Sequence, residues 1–123
     1  MIIGFVTPAL KAAIHISLIG QKNIADEIEI FVDTGFNGGL SLPLDLITRC
    51  GFPTLEEAVV QLADGSHITV TIYQGRVLWE GKEREIDVVA SEGDALLGMR
   101  LLEGSEVTVQ VTDGGAVSIE PMD

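Results

Sequence analysis

The chain has 123 residues, 46% of them hydrophobic, enough for one packed domain over residues 1–123; a second independent core and a disordered chain are both excluded. Seven Lys and Arg against nineteen Asp and Glu leave a net charge of −12, and that field repels phosphate backbones and anionic lipid, so neither nucleic acid nor membrane is an expected partner. The single cysteine, Cys50, excludes an internal disulfide and leaves too few thiols for a structural zinc site, which suits a reducing cytoplasm.

The first twenty residues are apolar, but their first positive charge, Lys11, lies inside the stretch, so no leader peptide is expected and the reading is a cytoplasmic protein. Period-two alternation then dominates. Ile14, Ile16 and Leu18 share one face of a strand while His15 and Ser17 take the other. Gly20 to Asn23 reads as a turn. The run Glu27-Ile28-Glu29-Ile30-Phe31-Val32 begins alternating and ends continuously apolar, as a strand does on passing from a sheet edge into a core, and Asp33 follows directly. Pro43 to Cys50 reads as a short helix, with Pro at its first position and Gly51 just past its end. Ile68, Val70 and Ile72 alternate with polar residues. Arg76 to Trp79 and Glu85 to Val89 supply two more strands around Glu80-Gly81-Lys82. Leu96-Leu97-Gly98 leads into a second short helix, Met99 to Glu103, closed by Gly104. Val107, Val109 and Val111 share a strand face, and Asp113-Gly114-Gly115 turns into Val117-Ser118-Ile119. Short strands with glycine-rich turns at this spacing make an all-β barrel or sandwich.

Few residues can carry chemistry. His15 and His67 both sit at alternating strand positions, where a polar-face residue is commoner than a triad member. Cys50, beside Leu46, Ile47 and Phe52, fits core packing better than nucleophilic chemistry. Gly35, Gly38 and Gly39 are not followed by the lysine of a phosphate loop, and Asp33 and Asp113 lack the alternate carboxylates of a calcium loop. No cofactor or metal ion is therefore expected. Asp33 remains, a carboxylate closing a buried apolar run and followed by Thr34 and Gly35. On the tripeptide alone, a strand-ending turn in which Asp accepts backbone N–H bonds is a more ordinary reading than a catalytic acid.

The longer pattern Phe31-Val32-Asp33-Thr34-Gly35-Phe36-Asn37-Gly38-Gly39, with Leu96-Leu97-Gly98-Met99-Arg100-Leu101-Leu102 downstream, resembles the retropepsin-like aspartic protease family. The resemblance implies an all-β, closed or partly open barrel with one or two short helices and a flap hairpin. In it Asp33 is the catalytic aspartate, Thr34 bonds across to a second loop, Gly35 admits substrate backbone, and Leu96-Leu97-Gly98 braces the aspartate. Ala63, Asp64, Gly65 and Ser66 match the flap tip that covers substrate. Phe36 stands where retroviral members carry a small residue, which bears on the width of the substrate groove. With one Asp-Thr-Gly, the implied active species is a homodimer in which two Asp33 carboxylates activate a water and cleave an extended peptide or protein substrate. The apolar ends Ile2 to Val6 and Val117 to Ile119 are the expected interface strands, as exposed edges otherwise. Two alternatives stay open: a non-catalytic dimeric peptide-binding or interaction module of the same fold, and an unrelated small β-barrel whose Asp-Thr-Gly is only a turn.

Overall fold

The computed structural model describes residues 1–123. In chain order the elements are β1 (Ile2–Val6), β2 (Ala12–Ile19), β3 (Ala25–Val32), β4 (Leu40–Pro43), α1 (Leu44–Cys50), β5 (Thr54–Gln61), β6 (His67–Trp79), β7 (Lys82–Ser91), β8 (Leu96–Leu97), α2 (Met99–Leu102), β9 (Ser105–Val109) and β10 (Ala116–Pro121). They form one sheet in the order β5-β6-β7-β4-β8-β3-β2-β1-β10-β9. A further antiparallel pairing of β2 with β6, Ser17 opposite Leu78 and Leu18 opposite Val77, bends the middle of that sheet into a ring. Closure removes the edges of the ring, so the sheet keeps two free edges, β5 at one end and β9 at the other.

The apolar faces read from the sequence line this ring. Ile14, Ile16 and Leu18 of β2 are buried with Ile30, Leu40, Leu42, Val77, Val88 and Leu97 in one core cluster, whereas His15 is exposed and lies 3.8 Å from Glu29 on the paired strand. β3 runs from exposed alternation into the interior at Ile30 and delivers Asp33 to the barrel's rim. Gly51 closes α1 in the left-handed conformation, φ 71°, its N–H donating to the carbonyls of Ile47 and Thr48. No helix is long and apolar enough to cross a membrane.

Four details differ from the sequence reading. Pro43 is still strand, paired with Ser91, and α1 starts at Leu44. Lacking an N–H, Pro43 ends the ladder and caps the helix from outside. The two strands expected on either side of Gly75 are one, because Gly75 lets β6 cross closely over β7: a Cβ there would sit 2.5 Å from a Val88 methyl. β9 ends at Val109, and Val111 is exposed. The terminal strands pair within the chain: β1 pairs with β10, Ile2 opposite Ile119, and at Phe5 and Val6 with β2, and Val117 and Ile119 are buried in the chain's own core. The loop between β9 and β10 is locked onto β1, Gly114 N–H donating to the Val6 carbonyl and Val6 N–H to the Gly115 carbonyl, each at 2.9 Å. That docking satisfies edge groups that a partner chain was expected to take.

Candidate active site

Asp33 leaves β3 where β3 runs parallel to β8, Phe31 opposite Leu96 and Val32 opposite Leu97. Phe31 N–H donates to the Ala95 carbonyl (3.0 Å) and Asp33 N–H to the Leu97 carbonyl (2.9 Å), so the backbone of the aspartate is fixed from a segment more than sixty positions away. The loop 33–39 then folds under α2. Gly98 N–H donates to the Gly39 carbonyl (2.8 Å), Met99 N–H to that of Phe36 (2.8 Å) and Arg100 N–H to that of Gly38 (3.2 Å). The opening N–H groups of a helix have no partner within it, and here the aspartate loop's carbonyls supply them. This crossing leaves no space at Gly98, where a Cβ would lie 2.2 Å from the Gly38 carbonyl oxygen and 2.6 Å from the Phe36 ring.

Within the loop, Gly35 N–H donates to Asp33 Oδ1 (2.9 Å) and Phe36 N–H to the Asp33 carbonyl (3.2 Å). One carboxylate oxygen is thereby oriented and the other left without a partner in the chain. Asp33 is half-buried, and Thr34 and Gly35 are exposed beside it. Asp33 and Thr34 line an open cavity of about 420 Å³ whose other walls are mainly apolar, including Phe31, Val32, Leu96, Val107 and Val109. Its rim carries a charge pair: Lys11 Nζ lies 2.7 Å from Asp94 Oδ2 and 5.0 Å from the Phe31 ring centroid. Both partners are about half exposed, so the pair adds little stability and acts mainly to neutralise the rim. Leu10, also lining the cavity, holds the left-handed conformation at φ 62°, which is unusual for leucine. Lys11 and Asp94 lie 83 positions apart and belong to no motif, so spacing could not have found them.

The remaining sequence candidates lie elsewhere. Phe36 does not line the cavity; its ring is half-buried against Gly38 and Gly98, beneath the loop. Ala63, Asp64, Gly65 and Ser66 form the exposed tip of the β5–β6 hairpin and do not line the cavity either. That tip is a three-residue turn: Leu62 N–H donates to the Ser66 carbonyl (2.7 Å), Gly65 N–H to the Leu62 carbonyl (3.0 Å), and Gly65 takes φ 87°. The Ser66 hydroxyl and N–H both donate to Asp64 Oδ1 and hold its carboxyl below the usual carboxylate value. A carboxyl lowered on folding stabilises its turn fully above the unfolded value, about 3.9, and loses that contribution only as pH falls through the lowered folded value. The tip should therefore keep its shape in mild acid. An NMR pH titration of the Ser66 amide is expected to show a midpoint below that of an unstructured aspartate; an ordinary midpoint would mean that the turn does not hold the carboxylate.

No family model matches the sequence, and no curated protein does. Among solved structures the chain is similar to the crystal structure of a retropepsin-like aspartic protease from Rickettsia conorii, with a TM-score of 0.57 and 19% sequence identity over 98% of this chain and 90% of that one. The chain has the retropepsin-like fold. At that identity the likeness rests on the path of the backbone and shows the fold alone.

Proposed function

We propose that the protein is an aspartic endopeptidase whose site is assembled from two copies of the chain. The observation that carries this reading is Asp33 itself. Its carboxylate has one oxygen oriented by Gly35 and the other unpartnered, it stands on a loop braced by β8 and α2, and it opens onto an apolar cavity in a retropepsin-like barrel. One such carboxylate per chain cannot serve as both acid and base. Two of them, brought together by a two-fold axis, share a single proton because like charges at close range cannot both ionise.

In that arrangement the ionised Asp33 takes a proton from a water, and the resulting hydroxide adds to the scissile carbonyl carbon. The protonated Asp33 gives its proton to the carbonyl oxygen, producing a neutral tetrahedral adduct. Collapse of the adduct breaks the C–N bond as the amine nitrogen receives a proton and the adduct returns one to the dyad. The Thr34 hydroxyl, exposed and without a partner in its own chain, is free to bond to the second loop. The apolar cavity accepts a hydrophobic side chain of an extended peptide, and the β5–β6 hairpin supplies the cover. The test is kinetic. Cleavage of an unfolded protein should show specific activity that climbs with enzyme concentration and levels off above the dimer dissociation constant, with a bell-shaped pH profile on the acidic side. Specific activity independent of concentration in a monomeric sample would remove the two-chain site.

A further inference from the structure

The loop that carries Asp33 runs on through Asn37 and Gly38, and we propose that this pair is a spontaneous deamidation site: the loop converts covalently into aspartyl and isoaspartyl forms, and the isoaspartyl form loses part of its bracing by α2. The chemistry needs no partner chain and no active dyad, so it stands apart from the protease reading. For an asparagine to react in this way, the main-chain nitrogen of the next residue must reach its side-chain Cγ. Three things oppose that approach: a side chain on the next residue, a hydrogen bond holding its N–H, and a hydrogen bond holding the carboxamide. All three are missing at Asn37. Its successor has no Cβ. The Gly38 N–H has no acceptor within the chain, and the Asn37 carboxamide is exposed with no hydrogen-bond partner in the chain.

The chain's other asparagine, Asn23, has all three protections. It is followed by Ile24, whose branched Cβ crowds the approach. The Ile24 N–H donates to the Gln21 carbonyl (3.4 Å), and Asn23 Oδ1 accepts from Arg76 Nη2 at 2.9 Å. Both asparagines are exposed, so access to water does not separate them. The glycine at 38 is itself a packing requirement, because a Cβ there would lie 2.6 Å from the Phe36 ring. Seating Phe36 beneath the loop thus demands, directly after Asn37, the one residue type that leaves its Cγ open to attack.

Loss of the Gly38 amide proton to solvent base leaves a nitrogen that adds to Asn37 Cγ. The new N–Cγ bond closes a cyclic imide as the Cγ–Nδ2 bond breaks, and ammonia leaves with a proton taken from water. Water then opens the imide. Breaking the new N–Cγ bond gives aspartate at 37; breaking the original bond from the nitrogen to the Asn37 carbonyl carbon gives isoaspartate, with the main chain rerouted through Cβ and Cγ. Water is the sole co-reactant, and either product adds one negative charge to the net −12. The two products differ in what they do to the loop. The Phe36 and Gly38 carbonyls flank residue 37 and accept from Met99 N–H (2.8 Å) and Arg100 N–H (3.2 Å). Aspartate keeps the spacing of those two acceptors. Isoaspartate inserts a further carbon into the main chain between them, so both cannot stay on donors that α2 holds at a fixed separation.

The test incubates the full chain in mildly alkaline buffer, folded and in concentrated urea, locating deamidation by peptide mass mapping and isoaspartate by enzymatic methylation. Folded protein is expected to convert at Asn37 with at least about one tenth of the unfolded rate, because nothing in the fold holds the reacting groups apart. Asn23 should convert at least about a hundred-fold more slowly than Asn37 in the same folded sample. Asn37→Gln, whose longer side chain closes the ring poorly, should stop the more acidic species from forming. A slower folded conversion at Asn37, or equal conversion at Asn23, overturns the site. For the loop, the isoaspartyl chain is separated by chromatography and compared with Asn37→Asp, which carries the same added charge on an unextended backbone. Hydrogen exchange at the Met99 and Arg100 amides should be about tenfold faster in the isoaspartyl chain. The Gly114 amide, bound to the Val6 carbonyl outside the loop, should exchange alike in both. Equal exchange at Met99 and Arg100 overturns the release from α2. Both measurements keep their force in a chain that never cleaves, so failure of the protease reading and failure of this site are told apart.

Discussion

Asp33→Asn is expected to lower cleavage by about 10³-fold or more while leaving the fold and the association of the chain intact. The amide keeps an oxygen where Asp33 Oδ1 accepts the Gly35 N–H at 2.9 Å, so the loop retains its local bond. The amide can neither take a proton from water nor hand one to a carbonyl, so the chemistry stops without a structural change. Mixing makes the test sharper. When equal amounts of Asp33→Asn and wild-type chains exchange freely, about one quarter of the dimers carry two Asp33 side chains, and activity should follow that fraction. A substituted chain that merely fails to contribute, leaving wild-type turnover untouched, would show that each chain works alone. Undiminished binding of an extended peptide with no cleavage even by the wild type would favour the non-catalytic module instead.

What could be read in the sequence was local or repeated. The alternation of Ile14, Ile16 and Leu18 is legible because one face of β2 meets the core and the other meets water, and the apolar finish of β3 is legible because it enters the barrel. The crossing of Phe31-Val32 with Leu96-Leu97 was readable only through the family resemblance, since parallel pairing over such a separation leaves no periodic trace. β4 escaped notice because Leu40-Ser41-Leu42 is buried on both sides and so does not alternate in burial. That β1 and β10 pair within the chain is hidden for a related reason: an apolar terminal strand looks the same in sequence whether its own chain or another covers it. At the site, Asp33, Thr34 and Gly35 form the turn that leaves β3, closed by the Gly35 N–H on Asp33 Oδ1. The rim of Lys11 and Asp94 and the wall of Val107 and Val109 come from tertiary proximity alone. Phe36 was legible as a departure from the family pattern, but its place under the loop depends on two glycines, Gly38 and Gly98, whose missing side chains make room for the ring.

That room makes Gly98 the most sensitive position of the brace. Its φ of −101° is open to any residue, so backbone strain is not the issue. The obstacle is what a Cβ would meet: the Gly38 carbonyl oxygen at 2.2 Å and the Phe36 carbonyl oxygen at 2.7 Å, both backbone atoms of the aspartate loop. Those two carbonyls accept from Arg100 and Met99, so pushing the loop away to admit a methyl group also lengthens the bonds that hold α2 against it. Gly98→Ala is therefore expected to cost about 3 kcal/mol. For a chain of this size that corresponds to a fall of about 12 °C in Tm. Cleavage should fall further than the loss of folded protein explains, because a displaced loop carries Asp33 with it, and a small misplacement of a reacting group costs rate steeply. Gly93→Ala supplies the control, since nothing lies within 4 Å of a Cβ there and its effect should stay within about 0.5 kcal/mol of zero. Phe36→Ala combined with Gly98→Ala clears the ring but not the two carbonyls, so it should recover little of the lost stability. Full recovery in the double variant would mean that the ring, and not the crossing of the two backbones, sets the requirement for glycine.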